Sequence, residues 1–252
     1  MRLKAVVLDM GDTLILSDQW DYDKSLRRLL QSLRHDGVVV SVPFEEFRRV
    51  YFEIRNRMYQ ESEPSLEEVD FRLRIAETLR RFNHNLSHES PTIANALEGF
   101  IDAFIEDSRM EDYVPAILTG LKERYKLGMV SNFAHAPSLR RILEHFCLPK
   151  FFDAIVISGE LGFRKPHPRI FEEALKTLAV RADETVFVGD SLKADMYGAK
   201  EAGLNTVLVE NVGLRKNPFA VAGELDPFPV EPDATIPCLA RLPDVLEALQ
   251  SP

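Results

Sequence analysis

Five short apolar runs, at residues 3–8, 127–130, 154–157, 186–188 and 206–209, end on polar residues or glycine and are separated by helical patterns. Continuous apolar runs of this length read as strands buried on both faces, and strands alternating with helices make βαβ units. The expected fold class is therefore α/β: a doubly wound, mostly parallel, Rossmann-like sheet with helices on both sides. Sheets of this kind bind ligands at the carboxyl ends of their strands, so the polar residues that close each run are the first candidates for chemistry.

Between the first and second runs the period changes to that of helices. Leu26, Leu29, Leu30 and Leu33 recur at i, i+3, i+4 and i+7, and so do Phe47, Val50, Tyr51, Ile54 and Met58. A third set (Phe71, Ile75, Leu79, Phe82) and a fourth (Ala94, Leu97, Ile101, Phe104, Ile105) follow. Breaks fall at Asp36-Gly37, Glu63-Pro64-Ser65 and Ser90-Pro91, and Ser65 with Glu68 has the spacing of a capping box. The pattern predicts a four-helix bundle at residues 17–112, inserted into an α/β domain made of 1–16 and 113–252. Further helices are expected over 116–123, 138–145, 170–178, 194–202 and 243–249. The Pro- and Phe-containing stretch at 211–233 reads as a long loop ordered by Phe219 and Phe228.

A net charge of −9 over 252 residues, with its basic pairs scattered among acids, argues against a nucleic acid partner. No stretch approaches the ~20 apolar residues of a membrane span. Cys147 and Cys238 lie far apart and form no metal or disulfide pattern, so a soluble, unprocessed protein of the reducing cytoplasm is expected. Oligomeric state has no signature in the sequence.

Four segments place reactive groups after apolar runs: Asp9 with Thr13, Ser131-Asn132, Lys165 in the loop 162–168, and Asp190 with Asp195. Each alone reads more readily as turn, cap or surface chemistry. Together they supply a carboxylate nucleophile, a hydroxyl with an amide, an ammonium and two further acids, a set suited to phosphoryl transfer with a hard cation. In this order Asp-x-x-x-Thr-Leu, Ser-Asn, Lys-Pro-x-Pro and Gly-Asp-Ser-x-x-x-Asp resemble the four motifs of the haloacid dehalogenase superfamily, and the similarity spans almost the whole chain. Residues 17–112 fall where members with a helical cap of the first type carry that cap.

The resemblance implies a phosphatase of a small phosphorylated metabolite. Asp9 would form an aspartyl phosphate, and Thr13, Ser131, the Asn132 backbone amide and Lys165 would hold the phosphoryl oxygens. Mg²⁺ would be bound by Asp9, Asp190 and the Gly11 backbone carbonyl, with Asp195 orienting a metal water or Lys165.

One position departs from the pattern. Phosphatases of this family usually carry a second aspartate two residues after the nucleophile, acting as general acid and then base, and here that residue is Gly11. Loss of a positioned acid costs about 10²- to 10⁴-fold in rate. Asp12, Asp18 or Asp21 are candidate replacements, and aryl or acyl phosphates should be hydrolysed better than sugar phosphates. A phosphate-binding or regulatory protein with little turnover is the rival reading, while a phosphomutase or a dehalogenase is disfavoured by Gly11. Among other residues, His84 and His88 have the spacing of a helical metal pair but lack a third ligand, and they read as a solvated helix end. His167 is read either as a border of the pocket or as loop surface. Trp20 and Tyr22 either line a substrate or pack the joint between domains.

Overall fold

In the computed structural model, which describes residues 2–211 and 228–250, all five expected runs are strands. They are β1 (Ala5–Leu8), β2 (Lys126–Ser131), β3 (Ala154–Ile157), β4 (Thr185–Gly189) and β5 (Asn205–Val209). A sixth strand, β6 (Ala234–Ile236), extends one edge, giving a parallel sheet in the order β3-β2-β1-β4-β5-β6. No pattern announces β6, because it is three residues long and only Ile236 is buried.

The helices are α1 (Tyr22–His35), α2 (Phe44–Ser62), α3 (Phe71–Arg81), α4 (Pro91–Asp107), α5 (Val114–Lys122), α6 (Ala136–His145), α7 (Ser158–Leu161), α8 (Pro168–Leu178), α9 (Gly198–Glu201) and α10 (Leu242–Gln250). The helix expected over 194–202 is divided: a π-helical stretch, Leu192–Tyr197, precedes the short α9. None of the described helices is long and apolar enough to cross a membrane.

Successive side chains of a strand point to opposite faces, and β1 shows both faces filled. Ala5 and Val7 join Ile170, Phe171, Phe187 and Met196 on one side. On the other, Val6 and Leu8 join Leu118, Leu127, Met129, Leu139 and Ile142. This two-sided burial explains why the strand is uniformly apolar, and it holds β1 rigidly in the middle of the sheet.

The segment between β1 and β2 forms α1 to α4, as the periodicity predicts. Leu26, Leu29 and Leu33 of α1 are buried, as are Ala96, Leu97, Phe100 and Ile101 of α4. The two helices approach so closely that a Cβ at Gly99 would lie 2.3 Å from Ser32 Oγ. Where the chain enters and leaves this segment, Leu16 and Arg109 exchange backbone hydrogen bonds of 2.7 and 3.0 Å.

Asp21 caps α1 and Ser90 caps α4, the latter with Pro91 in the first turn. The capping box expected at Ser65 does not form. Leu66 has a left-handed φ of 54°, the chain then runs extended past Phe163, and the cap of α3 is Asp70, which accepts from Arg72 N. Of the 211–233 loop, Pro218, Phe219 and Pro227 lie outside the described residues. Phe228 is described, and its ring centroid is 5.0 Å from that of Tyr197.

Candidate active site

Three neighbouring strands end at one place. The residue after β1 is Asp9, the last of β2 is Ser131, and the residue after β4 is Asp190, at the point where strand order reverses from β2-β1 to β4. Lys165 reaches this edge from the loop before α8. Its side chain is 2% exposed, and the ammonium donates to Asp9 Oδ1 at 2.6 Å, Asp195 Oδ1 at 2.7 Å and the Val130 carbonyl at 3.1 Å. All three donors of the ammonium are thus committed. Asn132 fixes the backbone behind it: Oδ1 accepts from Lys165 N at 2.6 Å, and Nδ2 donates to the Lys165 carbonyl at 3.0 Å. The side chain of Asn132 therefore positions the lysine, a task its sequence motif does not reveal.

Oxygens of Asp9, Asp190 and Asp195 lie within 4.8 Å of one another. Gly189 allows this, since a Cβ there would stand 2.3 Å from Asp195 Oδ2, the atom that accepts from Ser191 N at 3.0 Å. Burial pushes the Asp9 carboxyl up to about 7, with Lys165 pulling it down and Asp195 pushing it further up. Asp190 is raised well above the usual carboxylate range by burial and by the charges of Asp195, Asp9 and Asp12. Lys165 is held firmly protonated, because the two carboxylates outweigh the burial that alone would lower it. Three acids face one ammonium, so the fully ionised site is two positive charges short. A hard divalent cation fits a set of carboxylate oxygens of this kind.

Beyond Asp9 the chain turns tightly, with Leu14 N and Ile15 N both donating to the Met10 carbonyl at 3.0 Å. Asp12 takes a left-handed φ of 49°, and its Oδ1 accepts from Ser17 N and Ser17 Oγ, each at 2.8 Å. Burial raises its carboxyl, against the two bonds from Ser17. Among the described residues a Cβ at Gly11 would meet nothing within 4 Å. Thr13 is 3% exposed, and its hydroxyl is buried with no hydrogen-bond partner among the described residues. A buried hydroxyl without a partner is costly unless something polar reaches it. Ser131 is likewise buried.

Other candidates from the sequence lie elsewhere or do other work. His84 and His88 follow the end of α3 at Arg81, so they share no helix face. Among the described residues the only metal-competent cluster is the one at Asp9. Asp18 pairs with Arg109 at 3.1 Å, and Asp21 is occupied as the cap of α1, which leaves neither placed as a proton donor. His167 caps α8 through Nδ1 and sits 4.3 Å from the Phe163 ring. Trp20 packs against Phe100 and Phe104, donating its indole N–H to Ser25 Oγ at 2.9 Å.

The structure adds residues that no motif signals. Arg164, next to the lysine, turns away from it and donates to Ser62 Oγ at 2.8 Å, the Glu67 carbonyl at 2.6 Å and Glu63 Oε2 at 3.1 Å. Backbone bonds run beside it, from Glu68 N to the Gly162 carbonyl and from Arg164 N to the Leu66 carbonyl, each 2.9 Å. Glu68 accepts from Ser158 Oγ at 2.6 Å, while that oxygen accepts from Phe133 N at 2.8 Å. Residues 62–68 of the helical segment are thereby fastened to the loops that carry Asn132 and Lys165. Only spatial neighbours reveal this ladder, since its partners lie about a hundred residues apart in sequence.

The family model described as haloacid dehalogenase-like hydrolase matches residues 3–203. A glyceraldehyde 3-phosphate phosphatase of Methanopyrus kandleri is 28% identical over 208 residues, covering 82% of this chain and 84% of that enzyme. The enzyme of the same name from Pyrococcus furiosus is 41% identical over 86 residues, 34% of this chain and 35% of its own length. Among solved structures, a 2-haloacid dehalogenase from Pseudomonas syringae superposes with a TM-score of 0.67 at 25% identity, covering 98% of this chain and 99% of that one.

Proposed function

Because this chain belongs to the haloacid dehalogenase-like hydrolases, we propose that it is a Mg²⁺-dependent phosphatase of a small phosphorylated metabolite, working through an aspartyl phosphate on Asp9. The observation that carries the reading is the Lys165 ammonium 2.6 Å from Asp9, with Asp190 and Asp195 oxygens close beside them. The phosphatase names of its relatives support the same reaction class. In this reading residues 1–16 and 113–252 form the catalytic domain, 17–112 form a cap that excludes water, and the protein works in the cytoplasm.

In the first step an Asp9 oxygen attacks phosphorus, the aspartyl oxygen–phosphorus bond forms, and the bond to the leaving oxygen breaks. Lys165 offsets the charge of the phosphoryl oxygens, while Ser131, the Asn132 N–H and the unpartnered Thr13 hydroxyl donate to them. In the second step water attacks phosphorus and returns the Asp9 carboxylate. Asp9, Asp190 and the Gly11 carbonyl would hold Mg²⁺, which supplies further charge neutralisation at the phosphoryl group, and Asp195 orients Lys165. Among the described residues no donor reaches the Gly11 carbonyl, which supports leaving it to the cation.

With Gly11 in place of the usual acid, neither the leaving oxygen nor the attacking water has a strong proton partner. Asp12 is the candidate for a weak substitute, since its charge is felt at Asp190 and its carboxyl is raised by burial. The test is a phosphate-release panel with Mg²⁺ on the parent, Asp9→Asn, Asp12→Asn and Gly11→Asp. Turnover that is abolished by Asp9→Asn supports the enzyme. A parent that binds phosphate esters with Mg²⁺ but never turns them over, even as Gly11→Asp, would leave the binding-protein reading standing instead.

A further inference from the structure

The helical segment carries a second concentration of positive charge, which phosphoryl transfer at Asp9 leaves unused. Three guanidiniums surround the Tyr59 ring, those of Arg55, Arg74 and Arg164 at 5.5, 5.3 and 5.3 Å from its centroid. Arg164 is neutralised by Glu63 at 3.1 Å. Arg74 differs: it is 5% exposed, and among the described residues no carboxylate lies within ion-pair distance of it. Among the described residues its Nε is buried with no hydrogen-bond partner, and its one side-chain hydrogen bond is a long one, 3.5 Å from NH1 to the Tyr51 hydroxyl. Tyr51 in turn shares a 2.9 Å hydrogen bond with the Tyr22 hydroxyl. The rings of Phe71 and Tyr59 flank the guanidinium at 4.7 and 5.3 Å and offset part of its lost hydration.

A buried cation with a free edge of donors is costly by itself and favourable once an anion meets it. The cluster also lies along the right part of the chain. Tyr22 opens α1 thirteen residues after Asp9, and Arg164 immediately precedes Lys165. The two segments flanking the candidate nucleophile thus both lead into it.

We propose that Arg74, with the Tyr51 hydroxyl, is a specificity site that receives a carboxylate on the same substrate whose phosphoryl group meets Asp9. A carboxylate matches the planar fork of a guanidinium and brings a negative charge to a cation that has no carboxylate within ion-pair distance among the described residues. The assignment rests on the phosphatase reading and narrows it to phosphorylated carboxylic acids.

The test uses ω-phosphorylated carboxylic acids of increasing chain length, each beside the alkyl phosphate of the same length, with p-nitrophenyl phosphate as the control for turnover. At one length the parent should favour the acid in kcat/KM, and in Arg74→Met that ratio should fall about 10- to 100-fold, chiefly through KM, with Arg74→Lys between. Tyr51→Phe should lower the ratio in the same direction and serves if Arg74→Met does not fold. Turnover of p-nitrophenyl phosphate with no length at which the acid is favoured, or with an unchanged ratio in Arg74→Met, overturns the carboxylate site and leaves the phosphatase. If no ester is turned over, the phosphatase reading fails first, and thermal stabilisation by the same compounds decides the site. Stabilisation by an acid over its alkyl partner that vanishes in Arg74→Met supports it, and equal stabilisation overturns it.

Discussion

Lys165 and Arg74 are both buried cations, and the structure surrounds them differently. The ammonium of Lys165 has carboxylate oxygens at 2.6 and 2.7 Å and a carbonyl at 3.1 Å, whereas the guanidinium of Arg74 has one tyrosine hydroxyl at 3.5 Å. A buried charge with every donor satisfied is part of a rigid network that exists before any ligand arrives. One with no carboxylate within ion-pair distance among the described residues gains a close counter-charge when an anion binds. The contrast divides the molecule into a sheet edge that holds reacting groups in place and a helical face that selects what is brought to them.

The largest effect expected is a gain. Gly11→Asp restores a carboxyl two residues after the nucleophile, and the open space around Gly11 accommodates the side chain. The kcat/KM of alkyl phosphates should rise by about 10²- to 10⁴-fold, and that of aryl phosphates by much less, because kcat/KM reports formation of the aspartyl phosphate and an aryloxide leaves without a proton. Steady-state rates on the two ester classes check this. An equal gain on both would show that the missing acid does not limit the first step.

Next in size is a pair of stability measurements that sets the two cations directly against each other. Lys165→Met leaves Asp9 and Asp195 without their shared partner and should cost about 3–5 kcal/mol in urea unfolding. Arg74→Met removes a charge with no carboxylate within ion-pair distance among the described residues and should cost less than about 1 kcal/mol, or stabilise the fold. Similar losses for both would erase the distinction between a satisfied and an unsatisfied cation.

A smaller effect concerns the ladder between the two regions. Burial raises the Glu68 carboxyl above its usual range, against the Ser158 hydrogen bond and the charges of Arg164 and Arg74 that pull it down. The folded state therefore holds its proton more tightly than the unfolded chain does. Stability from this group is present below the ordinary glutamate range and is lost as pH rises through the raised value. Glu68→Gln, which cannot titrate, should flatten that part of the stability–pH profile while changing stability by about 1 kcal/mol at most. Unfolding curves across the weakly acidic range read the slope.

The two regions also differ in how far the sequence reveals them. Asp9, Ser131, Lys165 and Asp190 follow apolar runs, and a parallel sheet brings all run ends to one edge, so their meeting follows from the alternation of strands and helices. The four long helices before β2 were equally readable from their period. Glu68 misleads, because its spacing from Ser65 fits a capping box, yet its carboxylate bonds Ser158 ninety residues away. Arg74 and Tyr51 sit at ordinary helical positions, and nothing local distinguishes a buried guanidinium from a solvated one. β6 is too short to show a period. Pairings between distant segments depend on how helices pack, and that is written in no single stretch of sequence.

Mass spectrometry of the protein quenched in acid during Mg²⁺-supported turnover of p-nitrophenyl phosphate detects an aspartyl phosphate on Asp9 directly. With no strong base near the attacking water, the second step should be slow and the intermediate should accumulate. One phosphoryl group is expected on the peptide that carries Asp9, absent from Asp9→Asn and lost on treatment with hydroxylamine. Phosphate released at the same rate with Asp9 unmodified, or with the phosphoryl group on another residue, would contradict the account.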